Sequence, residues 1–291
     1  MSATHPIISV TGSSGAGTTS VRRTFEHIFR REKVTAAFIE GDAFHRYDRA
    51  DMKRVMAEEY ERGNRHFSHF GPQANLLAEL EEAFRQYGKS GTCRTRHYIH
   101  DAQEAKLYGA PPGTFTDWET MEAGSDLLFY EGLHGCSVTG EVNVAKQADI
   151  RLGVVPVVNL EWIQKIHRDH DMRGYSTEAT VETILRRMPD YVNYICPQFT
   201  ETHINFQRVP TVDTSNPFIA QWIPTAEESV IVVRFANPRG IDFPYLLSMI
   251  CGSTMSRANS LVVPGGKLDL AMQLILTPLI LQLLEKKRRA A

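Results

Sequence analysis

The sequence predicts an α/β fold built around a phosphate-binding loop. An apolar run from Ile7 to Val10 ends at a glycine-rich turn, Gly12-Ser-Ser-Gly-Ala-Gly17, and a helical pattern follows the turn. This order of strand, glycine loop and helix favours phosphate binding, because backbone N–H groups and the helix N-terminus both face the anion. Two more apolar runs end in acidic residues, at Glu40-Gly-Asp42 and at Glu131, as strands of an α/β sheet do near a ligand.

The glycine loop has the spacing G-x-x-x-x-G-K-[ST] with one departure. Gly12 and Gly17 occupy the glycine positions, and Thr19 occupies the position of the hydroxyl that binds Mg²⁺. Thr18 stands where the pattern has lysine, so the positive charge for phosphoryl transfer must come from elsewhere. The predicted nucleotide-binding residues are Gly12, Ser13, Ser14, Gly15, Ala16, Gly17, Thr18 and Thr19. An ordinary tight turn between a strand and a helix is the alternative interpretation.

Composition narrows the class of protein further. The chain has 291 residues, 42% of them hydrophobic, and a net charge of −2, which argues against a nucleic-acid partner. Four scattered cysteines without a C-x-x-C pair indicate a cytoplasmic protein with neither a disulfide framework nor a zinc site. The chain begins close to its first strand, so we expect no signal peptide, and its apolar C-terminal stretch is short for a bilayer span. We predict one domain over 1–291, with an irregular insertion around 102–125 and a strand-rich C-terminal portion.

The acidic end of the second strand carries the predicted catalytic base. Asp42 follows that strand directly, and the carboxyl ends of such strands lie on the ligand side of an open sheet. Capping of the following turn is the alternative role. His45, Arg49 and Lys53 follow at a spacing of four, so on a helix they would form a cationic stripe able to hold a sugar phosphate. Residues 92–101, which include His100, are predicted to form a highly charged strand.

Two later segments complete the predicted site. Glu131 ends an apolar strand as a metal-binding carboxylate does. A helical segment then places Lys165, Arg168, Asp169 and Arg173 along one face, at i, i+3, i+4 and i+8. Such a face can supply the charge that is missing at Thr18, together with an acid for the metal. A solvated helix with internal ion pairs is the alternative.

Other nucleotide-binding classes fit poorly. A dinucleotide fingerprint starting at Gly15 would need glycine at position 20, where Ser20 stands. The triplet His167-Arg168-Asp169 resembles part of a protein-kinase catalytic loop, but Gly174 replaces the asparagine expected five residues after the aspartate. A dehydrogenase and a protein kinase are therefore disfavoured.

Over essentially its whole length the sequence resembles the phosphoribulokinase family, of the bacterial type. The resemblance rests on six segments, at 12–18, 40–46, 129–134, 161–169, 212–218 and 255–260. It implies a P-loop nucleotide-kinase-like mixed sheet flanked by helices on both faces. It also implies phosphorylation of ribulose 5-phosphate by ATP and Mg²⁺ at the 1-hydroxyl, giving ribulose 1,5-bisphosphate for Calvin-cycle carbon fixation.

The resemblance also implies roles for individual residues. Asp42 would take the hydroxyl proton, Lys165 and Arg168 would stabilise the transferring phosphoryl group, and Asp169 would act beside them. Thr19, Glu131 and Asp169 would serve the metal, with the order of the two acids left open. The sugar phosphate would be held by His45, Arg49, Lys53, His100 and Arg173. Ala16 stands where plant-type enzymes carry a regulatory cysteine, so thiol control through this loop is not expected.

Regulation and assembly follow from the same resemblance. Bacterial members are homo-octamers that NADH activates and AMP restrains, so we expect an octamer with this regulation here. Arg31, Arg234 and Arg257 are candidate effector contacts, with surface ion pairs as the alternative. Two other functions stay open: a kinase of another small hydroxyl substrate, such as uridine or pantothenate, and an inactive nucleotide sensor.

Overall fold

The computed structural model describes residues 4–13 and 18–290. Its strands are β1 (Ile7–Thr11), β2 (Ala36–Glu40), β3 (Arg94–Thr95), β4 (Glu119–Thr120), β5 (Leu127–Gly132), β6 (Val138–Thr139), β7 (Val142–Asn143), β8 (Ile150–Val155), β9 (Ile204–Pro210), β10 (Ser229–Phe235), β11 (Thr254–Arg257) and β12 (Ser260–Pro264). Its helices are α1 (Thr18–Glu32), α2 (Arg49–Glu61), α3 (Leu77–Ser90), α4 (Ala102–Tyr108), α5 (Val158–Arg173), α6 (Thr177–Asp190), α7 (Gln198–Glu201), α8 (Phe243–Met249) and α9 (Leu268–Ala290).

An eight-stranded mixed sheet, in the order β11-β12-β10-β9-β8-β1-β5-β2, forms the centre of the molecule. The five strands from β9 to β2 are parallel, and β10, β12 and β11 continue the sheet in antiparallel fashion. Because β1, β5 and β2 are parallel, their carboxyl ends meet at one edge. That edge carries the glycine loop and the two acidic strand ends.

Helices cover both faces of the sheet, as predicted. On one face Phe25 of α1 and Met272 of α9 join a core with Phe129 of β5. On the other face Phe84 of α3 packs with Leu128, the neighbour of Phe129 in the same strand. Consecutive residues of β5 therefore face opposite cores, as the two-residue period of a strand requires.

The segment after α3 differs from the predicted strand over 92–101. Only Arg94–Thr95 form a strand, paired with β4, while Ile99 N–H donates to Thr114 O in a loop. The predicted irregular stretch around 102–125 contains helix α4, whose N-terminus Asp101 caps by accepting from the N–H groups of Gln103 and Glu104. This cap satisfies helix donors locally, which the sequence pattern did not reveal.

Among the described residues, one helix is long and apolar enough to cross a membrane, over Gly265–Arg289. In this fold it packs along the sheet, with Ala271, Met272 and Leu276 fully buried in the core. Length and composition alone do not separate a core helix from a spanning one. The expectation that this stretch is short for a bilayer span is therefore wrong as to length, and what the structure shows is a helix with one part buried in the core.

Candidate active site

A close approach of two glycines sets the position of Asp42. The short helical turn Gly41–Phe44 follows β2 and lies against the end of β5. A Cβ atom on Gly41 would come within 2.6 Å of Tyr130 Oη and 2.8 Å of the Gly132 Cα atom. Glycine at both positions therefore allows the two strand ends to touch, and Asp42 emerges beside Glu131 at the edge predicted to bind the ligand.

Two histidines face the carboxylate of Asp42. His45 Nε2 lies 3.4 Å from Asp42 Oδ1, and His100 Nε2 lies 3.8 Å from Asp42 Oδ2. The side chain of Asp42 is 37% exposed, so a substrate can still reach it. The arrangement suits a general base that neighbouring groups hold in one orientation.

His45 is not part of a cationic stripe, contrary to the sequence prediction. Helix α2 begins at Arg49 after its N-cap Asp48, so His45 lies outside the helix. Burial lowers the pKa of His45 to about 3, and its ring is therefore neutral at neutral pH. A neutral imidazole can donate Nε2–H to Asp42 but cannot act as a cation toward a phosphate.

Arg49 and Lys53 do share helix α2 and are exposed. Arg49 Nη2 donates to His100 O at 3.1 Å, which ties this helix to the turn that carries His100. The structure thus ties Arg49 to the turn of His100, whose ring lies beside Asp42, and Lys53 follows one turn later on α2. The side chain of Arg173, the last predicted member of the set, lies outside the described residues.

Arg96 donates hydrogen bonds to the backbone of the turn that carries Asp42, a role that the sequence did not predict. Its Nε and Nη2 donate to Ala43 O at 2.8 Å and to His45 O at 2.6 Å. Its guanidinium also lies over the Phe115 ring, 3.6 Å from the centroid. Because its partners are backbone carbonyls, no sequence motif predicts these hydrogen bonds. The one indication of a role for Arg96 was its charge within a segment predicted to be a strand.

The described part of the glycine loop contacts helix α5. Gly12 N–H donates to Gly132 O at 3.2 Å, and the Ser13 hydroxyl donates to the carboxylate of Glu161. Glu161 is 7% exposed and also accepts from Tyr191 Oη at 3.0 Å. Burial raises the pKa of Glu161, and the two donors oppose that shift. Glu161 thus connects the loop to α5. It belongs to the matching segment 161–169, but the sequence alone offered no reason to assign it a role.

Four predicted loop residues, Ser14 to Gly17, lie outside the described residues, as do the side chains of Thr18 and Thr19. Their roles in nucleotide and metal binding stay predictions.

One turn after Glu161, α5 carries a compact ion cluster. Lys165 Nζ lies 2.5 Å from Asp169 Oδ2, and Arg168 Nη2 lies 3.2 Å from Asp169 Oδ1. The Asp169 side chain is only 4% exposed. Internal ion pairs therefore exist, as the alternative interpretation held, but they are largely buried and not on a solvated face. Burial lowers the pKa of Lys165, and Asp169 opposes that shift.

The three candidate effector arginines lie on different elements. Arg31 of α1 donates from Nη1 to Gln273 at 3.0 Å and from Nη2 to Thr277 at 2.8 Å, both on α9. Arg234 and Arg257 are both exposed and both stand opposite Ser260, in one row of the antiparallel half of the sheet. Arg31 therefore has a packing role between helices, and effector binding by the set stays a prediction.

The acids of the site fit a magnesium ion that is bound together with a nucleotide. Within residues 4–13 and 18–290, no group of three or more His, Cys, Asp or Glu side chains could hold a metal. Magnesium is usually held by one or two carboxylates plus substrate phosphates. Glu131, at the carboxyl end of β5 beside the end of β1, has the donor chemistry and the location for this.

Comparisons with known proteins agree with this geometry. The model of the Phosphoribulokinase / Uridine kinase family matches residues 7–215. Phosphoribulokinase of Nitrobacter vulgaris is 73% identical over 286 residues, which cover 98% of this chain and 99% of the relative. The one from Rhizobium meliloti is 68% identical over 289 residues, with 99% of each chain covered.

A solved structure titled phosphoribulokinase from Rhodobacter spheroides superposes on the chain with a TM-score of 0.91. The two are 63% identical, and the match covers 99% of this chain and 100% of the other. The mixed sheet, the phosphate-loop edge and these full-length matches lead to one conclusion: the chain belongs to the phosphoribulokinase / uridine kinase family.

Proposed function

We propose that the protein transfers the γ-phosphoryl group of ATP, with Mg²⁺, to the 1-hydroxyl group of D-ribulose 5-phosphate. The product is ribulose 1,5-bisphosphate, the acceptor of carbon dioxide in the Calvin cycle. The observation that carries this proposal is the full-length identity of 73% and 68% to two phosphoribulokinases. The site geometry supports the same chemistry, since the carboxylate of Asp42 lies at the phosphate-loop edge of the sheet.

Asp42 acts as the general base. Its carboxylate accepts the proton of the substrate hydroxyl as that oxygen attacks the γ-phosphorus atom. The Nε2 atom of neutral His45 lies 3.4 Å from Oδ1 and that of His100 lies 3.8 Å from Oδ2, while the 37% exposure of the Asp42 side chain still lets the substrate reach the carboxylate. Because His45 carries no charge, it orients Asp42 without lowering the basicity of the carboxylate as strongly as a cation would.

The ion cluster on α5 replaces the missing loop lysine. Lys165 and Arg168 bring two positive charges and Asp169 one negative charge, so one net positive charge remains. The Ser13–Glu161 hydrogen bond joins the helix that carries this charge to the start of the loop. The cluster is therefore suited to stabilise the transferring phosphoryl group, which Thr18 cannot do.

Glu131 is the principal carboxylate for the metal, and the Thr19 hydroxyl stays the second ligand that the loop spacing predicts. Asp169 already has a cation on each of its oxygens, so its first role is to hold Lys165 and Arg168 in place. Bound Mg²⁺ neutralises charge on the phosphates of ATP. This proposal puts Glu131 before Asp169 as a metal ligand, an order that the sequence left open.

The acceptor is held by cations that the sequence predicts for this site. Arg49 and Lys53 of α2 pair with the 5-phosphate, His100 contacts the sugar near Asp42, and Arg173 stays a further predicted phosphate contact. Uridine has no phosphate for these groups, which argues against it although the family description includes uridine kinases. A cytoplasmic homo-octamer that NADH activates remains a prediction from the resemblance.

The test is ADP release with ATP and Mg²⁺ and one acceptor at a time: ribulose 5-phosphate, ribose 5-phosphate, uridine or pantothenate, each with and without NADH. Turnover with ribulose 5-phosphate alone supports the proposal, and stimulation by NADH supports the predicted regulation. Turnover with uridine or pantothenate would leave the kinase fold in place and overturn the substrate. ATP binding without any turnover would favour a nucleotide sensor.

A further inference from the structure

Two histidines without an assigned role lie behind His45. The ring of His69 stacks on the ring of His45, with centroids 4.0 Å apart and an angle of 26° between the planes. His134, which is 4% exposed, follows β5 and reaches the same place from the other side. The three rings come from three separate segments, so only the fold brings them together.

The backbone carbonyl of His69 is held by two buried side chains. His134 Nε2–H donates to His69 O at 2.9 Å, and Asn75 Nδ2 donates to the same oxygen at 2.8 Å. Asn75 also donates to Gly71 O at 2.7 Å, which closes the loop around His69. The two hydrogen bonds fix the backbone at His69, and from this fixed backbone the His69 ring packs on His45.

His134 fits this role as a neutral group. With Nε2 as the donor, its Nδ1 is an acceptor, and burial lowers the pKa of His134 to about 4. A charged ring there would lose its hydration on burial. The contact with His69 O is therefore made by a neutral ring that donates through Nε2.

We propose that His69 and His134 are positioning residues that hold the His45 ring so that its Nε2–H donates to Asp42. The chain of contacts runs from His134 through the His69 carbonyl and ring to His45, and then to the general base. This inference rests on the proposed function, because it assigns the effect to Asp42 chemistry. It predicts a loss in kcat, since the base loses its orientation, with little change in KM for the sugar phosphate.

The test uses two substitutions at one position. His134→Phe keeps a buried planar ring but removes the donor, whereas His134→Gln keeps an amide donor near the position of Nε2. We expect His134→Phe to lower kcat about tenfold, the scale of one lost hydrogen bond. His134→Gln should stay within about twofold of the wild type, a spread typical of changes that remove no contact.

A double-mutant cycle with His45→Ala shows whether the effect passes through His45. If it does, His134→Phe changes kcat by less than about twofold in the His45→Ala background. Additive losses would overturn the proposal, and so would a rise in KM with kcat unchanged. If His134→Phe does not fold, His69→Ala against His69→Phe repeats the comparison, since phenylalanine retains a ring for the stack.

Crystal structures of the two His134 variants provide a readout that is independent of activity. The proposal expects the His45 ring to leave hydrogen-bond reach of Asp42 in His134→Phe and to stay in His134→Gln. An unmoved ring in both variants would overturn it, whatever the wild type phosphorylates. A wild type that is inactive on ribulose 5-phosphate would overturn the proposed function alone.

Discussion

Replacement of Asp42 by asparagine separates its proposed role as a base from any role in folding. Asparagine keeps the shape of the side chain and an oxygen for the Nε2–H of His45, 3.4 Å away, but it cannot accept a proton. A positioned general base contributes about 10²- to 10⁴-fold to rate, which corresponds to about 3–5 kcal/mol of activation free energy. We therefore expect kcat of Asp42→Asn to fall by at least about a hundredfold.

Folding and ATP binding should change little in this variant. The Asp42 side chain is 37% exposed, and among the described residues its partners are neutral His45 at 3.4 Å and His100 at 3.8 Å, so the replacement removes no short ion pair. The free energy of unfolding should thus stay within about 0.5 kcal/mol of the wild-type value. Steady-state kinetics, ATP titration and denaturant unfolding measure the three quantities.

The matched control is Glu40→Gln, which changes an acid at the end of the same strand. Glu40 pairs with Arg22 at a partly exposed position, so its loss costs about 1 kcal/mol of stability or less and leaves the base intact. The reasoning would be refuted if Asp42→Asn kept more than a tenth of the wild-type kcat, or if both variants lost activity equally.

Three further predictions concern the groups around the base. Gly41→Ala places a Cβ atom 2.6 Å from Tyr130 Oη, and this overpacking should lower the free energy of unfolding by about 1–3 kcal/mol. Gly266→Ala is the control, because the nearest atom to its Cβ would be 3.5 Å away. Equal changes in the melting temperature of the two variants would contradict the argument. Lys165→Met should lower kcat about a hundredfold, because it leaves the α5 cluster with no net positive charge; an unchanged kcat would show that the charge comes from elsewhere. The free energy of unfolding should fall as pH drops below about 6.5, because His45 and His134 bind protons in the unfolded chain but stay neutral in the folded protein, where their pKa values are about 3 and 4. His134→Gln should remove about 1 kcal/mol of that loss between about pH 6 and pH 5, as measured by denaturant unfolding. An identical pH slope in the variant and the wild type would contradict this.

The sheet edge that holds the site was predictable because its signals are local. The run Ile7–Val10, the glycines after it and the acid at Glu131 each fit one strand or turn, and the structure has strands at these positions. The face of α5 was predictable for the same reason, since helical spacing alone places Lys165 and Asp169 together.

The charge of His45 was not predictable in this way. Spacing suggested a helix that continues back to residue 45, but Asp48 caps α2 and starts it at Arg49. The neutral state of the ring comes first from burial by distant segments, and then from the nearby His134 and Arg96, which lower the pKa of His45 further. The prediction of a strand over 92–101 was wrong for a similar reason, since the backbone partners of this segment lie in the short strand β4 and in a loop and not in the main sheet.

The sequence by itself determined the fold class, the phosphate-loop edge and the family, because strand periodicity, glycine spacing and long matching segments are properties of consecutive residues. Only the tertiary structure decided the protonation of His45, the anchoring of its turn by Arg96 and the burial of the Lys165–Asp169 pair. These features depend on desolvation and on backbone carbonyls contributed by remote segments. Both exist only after the chain has folded, since burial and contact are set by neighbours in space.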